Sequence, residues 1–180
     1  PVMLRVNSPL VLDPIEVPHR VPRKERPDVI RPMAANITVV YKANGSTGTW
    51  GDTCVTFPLD AQTAFNYAVG IWEGYLNASA PIVIEACWSD LGSGILGHGG
   101  GYYAYNFSGA PLANTFYPIA LANQFNVIDL NGANPEIAVA FNSTSNWYYG
   151  TDANPGTGKI DFVSVVLHEI CHGLGFSGTM

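Results

Sequence analysis

Near the C-terminus, His168-Glu169-Ile170-Cys171-His172 combines residue types and a spacing suited to breaking a bond. Histidines four apart on a helix project from one face, with Cβ atoms about 5–6 Å apart. Both imidazoles can then reach a single ion at the roughly 2.0–2.1 Å zinc–nitrogen distance. Glu169 follows His168 directly, about 100° round the helix. That position suits a carboxylate which does not ligate but holds a water the metal activates. Zinc lowers the pKa of such a water toward about 7. Glu169 can take the proton as the water attacks a polarised carbonyl, and can later give it to the leaving amine. His168 and His172 are therefore the candidate ligands of Zn2+, and Glu169 is the candidate catalytic base. The competing reading is two histidines packed in a core.

Other groups carry weaker signals. Asp129-Leu130-Asn131-Gly132, with Glu136 beyond, offers oxygen ligands at a turn and is a minor candidate for Ca2+, against the commoner Asx-rich turn. His98, in a glycine-rich stretch, reads as a solvated loop histidine. Trp147-Tyr148-Tyr149 is expected to pack the sheet against the last helix rather than to line a cleft or bind sugar. Among Cys54, Cys87 and Cys171 the preferred pair is Cys54 with Cys87, both in the sheet half, although the sequence permits three pairings.

The elements that must position the motif follow from the pattern of apolar residues. The last helix is the best specified: Asp161 as N-cap, Phe162 to Leu174 unbroken by proline, and Gly175 where a left-handed cap is expected. Phe162, Val163, Val166, Leu167 and Ile170 flank the motif, as in a helix buried against a sheet. From about Asp60 to Leu76 a second helix is expected, with Ala64, Tyr67, Ala68, Ile71, Trp72 and Tyr75 on one stripe. Ile37–Tyr41, Pro81–Ala86, Tyr102–Tyr105 and Ile137–Phe141 read as strands. Gly97-His98-Gly99-Gly100-Gly101 reads as a flexible loop, and Pro118 to Phe125 as a short helix or an irregular crossing. The expected fold class is α+β, a twisted mixed sheet with two main helices packed on it. Residues 1–34, with seven of the thirteen prolines, read as an extended Pro/Arg-rich arm or pro-segment remnant. The arm is expected to lie across its own domain or to mediate self-association with a neighbouring chain.

His168-Glu169-Ile170-Cys171-His172-Gly173-Leu174-Gly175-Phe176 resembles the active-site helix of the zincin metallopeptidases, in particular the metzincin-like clan. The likeness in element order spans about residues 35–180, and its specific part is the final forty or so. The resemblance implies a zincin-like catalytic subdomain at 35–180, truncated at its C-terminal side, with zinc on His168 and His172 and Glu169 as base. It also implies that Ile137–Phe141, or another sheet edge, forms the rim that pairs with an extended substrate. The clan's third ligand would fall at position 178, which is glycine here, so no third protein ligand is assignable.

Composition bounds the partners. Hydrophobic residues make up 47% and charged residues 12%, about half the usual charged share. Six of the eight Lys and Arg precede residue 35, leaving Lys42 and Lys159 against ten of the fourteen acids. An acidic body argues against nucleic acid, which needs a basic face. No apolar run approaches the roughly 20 residues that cross a bilayer. A surface poor in Lys but rich in Asn, Ser and Thr suggests a secreted, extracellular protein. Five sequons, at Asn36, Asn44, Asn77, Asn106 and Asn142, are candidate glycosylation sites. The expected function is a secreted zinc-dependent endopeptidase acting on peptide or protein substrates. The alternative is a non-catalytic extracellular structural or adhesive protein on a degenerate scaffold.

Overall fold

A computed structural model describes residues 35–126 and 128–176. The Pro/Arg-rich arm, its expected self-association and Gly178 lie outside those residues. Within them the fold is α+β, a mixed sheet with three helices rather than two.

The β-branched run Ile37–Tyr41 forms β1, and Ile82–Ser89 forms β2 parallel to it, with Ile37 opposite Ile82 and Tyr41 opposite Ala86. Parallel neighbours need a crossover, and α1 (Leu59–Tyr75) supplies it. Pro58, already at φ −62°, starts that helix, and its carbonyl accepts from Gln62 N at 2.9 Å. The buried face of α1 is Ala61, Ala64, Phe65, Ala68 and Val69. The expected stripe is thus rotated: Tyr67 and Tyr75 are exposed. Alanines let the helix close on the sheet, Phe65 fills the space between, and the tyrosine hydroxyls keep to water.

Gly97–Gly101 is a strand, β3, and not the loop its composition suggests. The chain then forms a small hairpin from β4 (Tyr103–Tyr105) and β5 (Phe116–Pro118), followed by α2 (Ile119–Asn126). β6 (Ile137–Asn142) returns to the sheet, pairing parallel with β2 and antiparallel with β3. A short parallel pair, β7 (Trp147–Tyr148) and β8 (Ile160–Asp161), leads into α3 (Phe162–Gly173). The strand order β1-β2-β6-β3 makes β3 an edge and β6 an interior strand with every residue buried. Ile137–Phe141 is therefore not a substrate-pairing rim, because both of its sides already carry strands.

Alternation along the strands divides the sheet into two faces. Ile82, Ile84, Ala86 and Trp88 of β2, with Ile137, Val139 and Phe141 of β6, join α1 and α3 in the main core. Phe57, Phe65, Phe141 and Phe162 interlock there, with centroids 5.0–6.5 Å apart in edge-on pairs. Trp147 and Tyr149 pack on Phe162, so that aromatic group holds the sheet to α3. On the other face Cys87 and Ala140 meet Cys54, and Cys54 and Cys87 are disulfide-bonded. A strap of residues 43–54 covers this face. Thr49 N donates to Glu85 at 2.6 Å, Trp50 Nε1 donates to Ala138 O at 3.1 Å, and Lys42 pairs with Glu85 at 3.3 Å. No helix among the described residues is long and apolar enough to cross a membrane.

Candidate metal centre

Capping at both ends fixes the rotation of α3. Asp161 accepts from Ser164 N at the N-terminus. At the other end Gly175, at φ +106°, lets Phe176 N reach Cys171 O at 3.1 Å and Gly175 N reach His172 O at 3.1 Å. That pair of bonds is a Schellman turn, open to glycine because of the positive φ. Phe162, Val163, Val166, Glu169, Ile170 and Gly173 then point inward, leaving His168 exposed and His172 half-buried.

The two imidazoles converge. Their Nε2 atoms lie 3.0 Å apart, with ring planes at 86°. A tetrahedral ion about 2.1 Å from each nitrogen needs a separation of about 3.4 Å, a change that small side-chain rotations supply. His172 Nδ1 lies 2.8 Å from the carbonyl of Phe176. A carbonyl can only accept, so Nδ1 carries a proton, and Nε2 is the nitrogen turned toward His168. The Schellman turn thus serves as the outer support that orients a ligating histidine. Burial first, and then the neighbouring His172, lower the pKa of His168, which favours the neutral ring that ligation requires.

Glu169 is 6% exposed. Burial pushes its carboxyl up to about 7, with His172 pulling in the opposite direction. Its cover is β3. A side chain at Gly99 would bring a Cβ within 2.5 Å of Glu169 O and 2.9 Å of Glu169 Cβ, and one at Gly97 would meet Glu169 Cγ at 3.3 Å. The glycines are the reason strand and helix approach so closely. Sequence reasoning missed this role, although Gly-x-Gly-Gly-Gly next to a helix carrying a polar motif was the available signal.

Other candidates stand apart from this centre. The register pairs His98 with Ala140, on the strap side of the sheet, where its Nε2 lies 3.0 Å from Asp52 Oδ2. His98 therefore faces away from α3. Cys171 is a free thiol whose pKa burial raises. Glu136 is buried and bonded to Val83 N and Asn123, while Asp129 caps its own turn through Asn131 N and Gly132 N. Both carboxyl oxygens of Glu136 and one of Asp129 are thus engaged with protein groups. Asn142 is 2% exposed and fully bonded, so its amide is not open to glycosylation in the folded chain. Asn36, Asn44, Asn77 and Asn106 are exposed. Among the described residues no group of three or more His, Cys, Asp or Glu is placed to share a metal ion.

These features define an α+β domain with a two-histidine, one-carboxylate helix at the glycine-rich edge of its sheet. Residues 108–180 match a family model described as SPBPB7E8-like. Uncharacterized protein PB7E8.01 of Schizosaccharomyces pombe (strain 972 / ATCC 24843) is 32% identical over 120 residues, 57% of this chain and 20% of that protein. The chain spans about a fifth of the length of this curated relative. No solved structure matches it. The resemblance to metzincin-like zincins is overturned by these matches. The family model covering His168–His172 is the SPBPB7E8-like one, and the described residues add no third ligand. The zincin and metallopeptidase labels that the motif suggested therefore do not apply as a family assignment.

Proposed function

We propose that His168 and His172 are ligands of a divalent metal, zinc by the chemistry of two neutral imidazoles, and that Glu169 is the acid–base group of a hydrolytic centre acting on peptide bonds. The observation that carries the reading is the 3.0 Å convergence of the two Nε2 atoms, with the tautomer of His172 set by Phe176 O. It rests on these side chains and not on kinship. The remaining coordination positions fall to water or to groups outside the described residues. Zinc bound there supplies a Lewis acid and lowers the pKa of a water. Glu169, pushed up to about 7, is poised to take a proton from the attacking water near neutrality and return it to the leaving amine. The glycine strand above it packs on its backbone and on the Cβ–Cγ stem. Among the described residues β3 is an edge of the sheet, the place where an extended peptide could add. The disulfide and the four exposed sequons support a secreted setting.

Metal analysis of the full chain tests the reading. Zinc at near one equivalent is expected in the wild type and in Glu169→Ala, with a severe loss in His168→Ala. Hydrolysis of a casein substrate is expected to vanish in both variants. No metal above background in the wild type would overturn it. The second reading, a non-catalytic extracellular structural protein, is favoured by the absence of a third ligand among the described residues. Stoichiometric zinc without any hydrolysis would select that reading.

A further inference from the structure

The last turn of α3 is held from outside as well as by its own cap. A Cβ at Gly173 would overlap the side chain of Ile137 at the start of β6, and one at Gly101, the end of β3, would lie 3.6 Å from Gly173 O. A third contact falls on the cap itself. A Cβ at Gly175 would meet Pro118 Cγ at 2.6 Å and Pro118 Cδ at 3.6 Å. The ring of Pro118 is therefore in van der Waals reach of the turn that carries Phe176 O. That ring is fixed in place. Pro118 stands between Tyr117 and Ile119, both buried, and pairs with Tyr103 across the β4–β5 ladder. The next residue is anchored too, since Ile119 N donates to Tyr102 O at 2.8 Å. Proline has a locked φ and no side-chain rotamers to lose, so it makes a stiffer seat than an open-chain residue.

We infer that Pro118 is a positioning residue for His172. By seating the Gly175 turn it keeps the carbonyl of Phe176 on His172 Nδ1, 2.8 Å away, and so aims Nε2 at His168. The inference rests on the metal-binding reading above and adds to it a residue outside α3. The chain of contacts is short. Phe176 directly follows Gly175, so a tilt of the turn moves its carbonyl first. A histidine ring turns about two side-chain bonds, and a partner on its second nitrogen restrains both. Removing such an outer partner typically costs about 10–100-fold in metal affinity. The β4–β5 hairpin is thereby coupled to the two-histidine centre through one pyrrolidine ring. A proline that only packed the hairpin would behave differently: its truncation would lower stability and leave the bond to His172 Nδ1 as it is.

Two readouts on the full chain test this, one with zinc and one without. Calorimetric titration of zinc chloride gives the affinity of the wild type, Pro118→Ala, Gly175→Ala and the double variant. Pro118→Ala is expected to weaken zinc about tenfold, and Gly175→Ala more strongly. The double variant should bind more tightly than Gly175→Ala alone, because removing the ring frees room for the added Cβ. Pro111→Ala, at an exposed proline between β4 and β5, should match the wild type. The second readout is long-range proton–nitrogen correlation on isotope-labelled, zinc-free protein at about pH 8.5, above the ordinary imidazole range. His172, assigned with His172→Ala, should carry its proton on Nδ1 in the wild type and become a mixture of tautomers in Pro118→Ala. Should Pro118→Ala not fold, Pro118→Val, which keeps methyl groups beside the turn but not the ring, is expected to show the same changes to a smaller degree. Wild-type zinc affinity in the Pro118 variants, an unchanged Nδ1 proton, or a double variant no tighter than Gly175→Ala would each overturn the inference and leave the metal reading standing. A wild type that binds no zinc, yet loses its Nδ1 proton when Pro118 is replaced, would sink the metal reading alone.

Discussion

At the scale of single residues, Asn142 shows how far a motif can mislead when its surroundings are unknown. Asn142-Ser143-Thr144 has the form of a glycan acceptor, yet the side chain is a buried clasp at the end of β6. Its Nδ2 donates to Gly92 O and Ile95 O, both at 2.7 Å, and its Oδ1 accepts from Thr144 N at 3.1 Å and Thr144 Oγ1 at 2.8 Å. The backbone carbonyl of the same residue accepts from Trp147 Nε1 at 2.7 Å. Asn142→Ala removes both donated bonds and the acceptor of Thr144 at once, and should cost about 3 kcal/mol of stability. Urea unfolding of the two proteins measures it, and a loss under about 1 kcal/mol would show that water replaces the clasp. His168, Glu169 and His172 were legible as a group because helical spacing alone brings i and i+4 together. The support of His172 by Phe176 O was not legible, because it depends on a turn whose bonds form only after the helix has ended.

At the scale of elements, the strands and helices with strong periodicity were legible and β3 was not. Ile37–Tyr41 and Ile137–Phe141 carry β-branched or apolar residues that fit a pleated, half-buried surface, and α3 carries signals at both ends. Gly97–Gly101 has almost no side chains, so no alternation exists to be read. Its strand character comes from β6 on one side and α3 beneath it. The same lack of side chains is its function, since α3 could not approach otherwise. Gly99→Ala should therefore separate strand from helix and cost about 2 kcal/mol through overpacking. Gly100→Ala, whose Cβ would meet only the rim of the Trp50 ring at 3.5 Å, should be nearly neutral. Thermal unfolding of the pair decides the point. Equal melting temperatures would mean that β3 is held by its ladder alone and that the close contact with Glu169 is incidental. The rotated stripe of α1 has a simpler cause: sequence periodicity located the face, but small residues beside Phe65, rather than the tyrosines, matched the space under the sheet.

At the scale of the whole molecule, the packing that closes the sheet between strap and helices also places an ionisable group where water is scarce. The disulfide and Trp50 hold the outer face, α1 and α3 hold the inner one, and Glu169 is trapped beneath the edge strand. Its folded carboxyl titrates near 7 against an ordinary value of 4.5. Between those values the folded chain binds more protons than the unfolded chain, so stability falls as pH rises. The contribution of the neutral buried carboxyl is fully present below about 4.5 and is lost as pH climbs through about 7. A displacement of that size corresponds to about 3 kcal/mol. Glu169→Gln keeps the shape and removes the titration. With metal stripped by a chelator, wild type minus variant stability should decline by about that amount from pH 4 to pH 8.5, as measured by urea unfolding at each pH. A difference that stays flat across the range would mean that water reaches Glu169 freely beneath β3. The carboxyl would then be ionised at neutrality, and proton return to a leaving amine would need another donor.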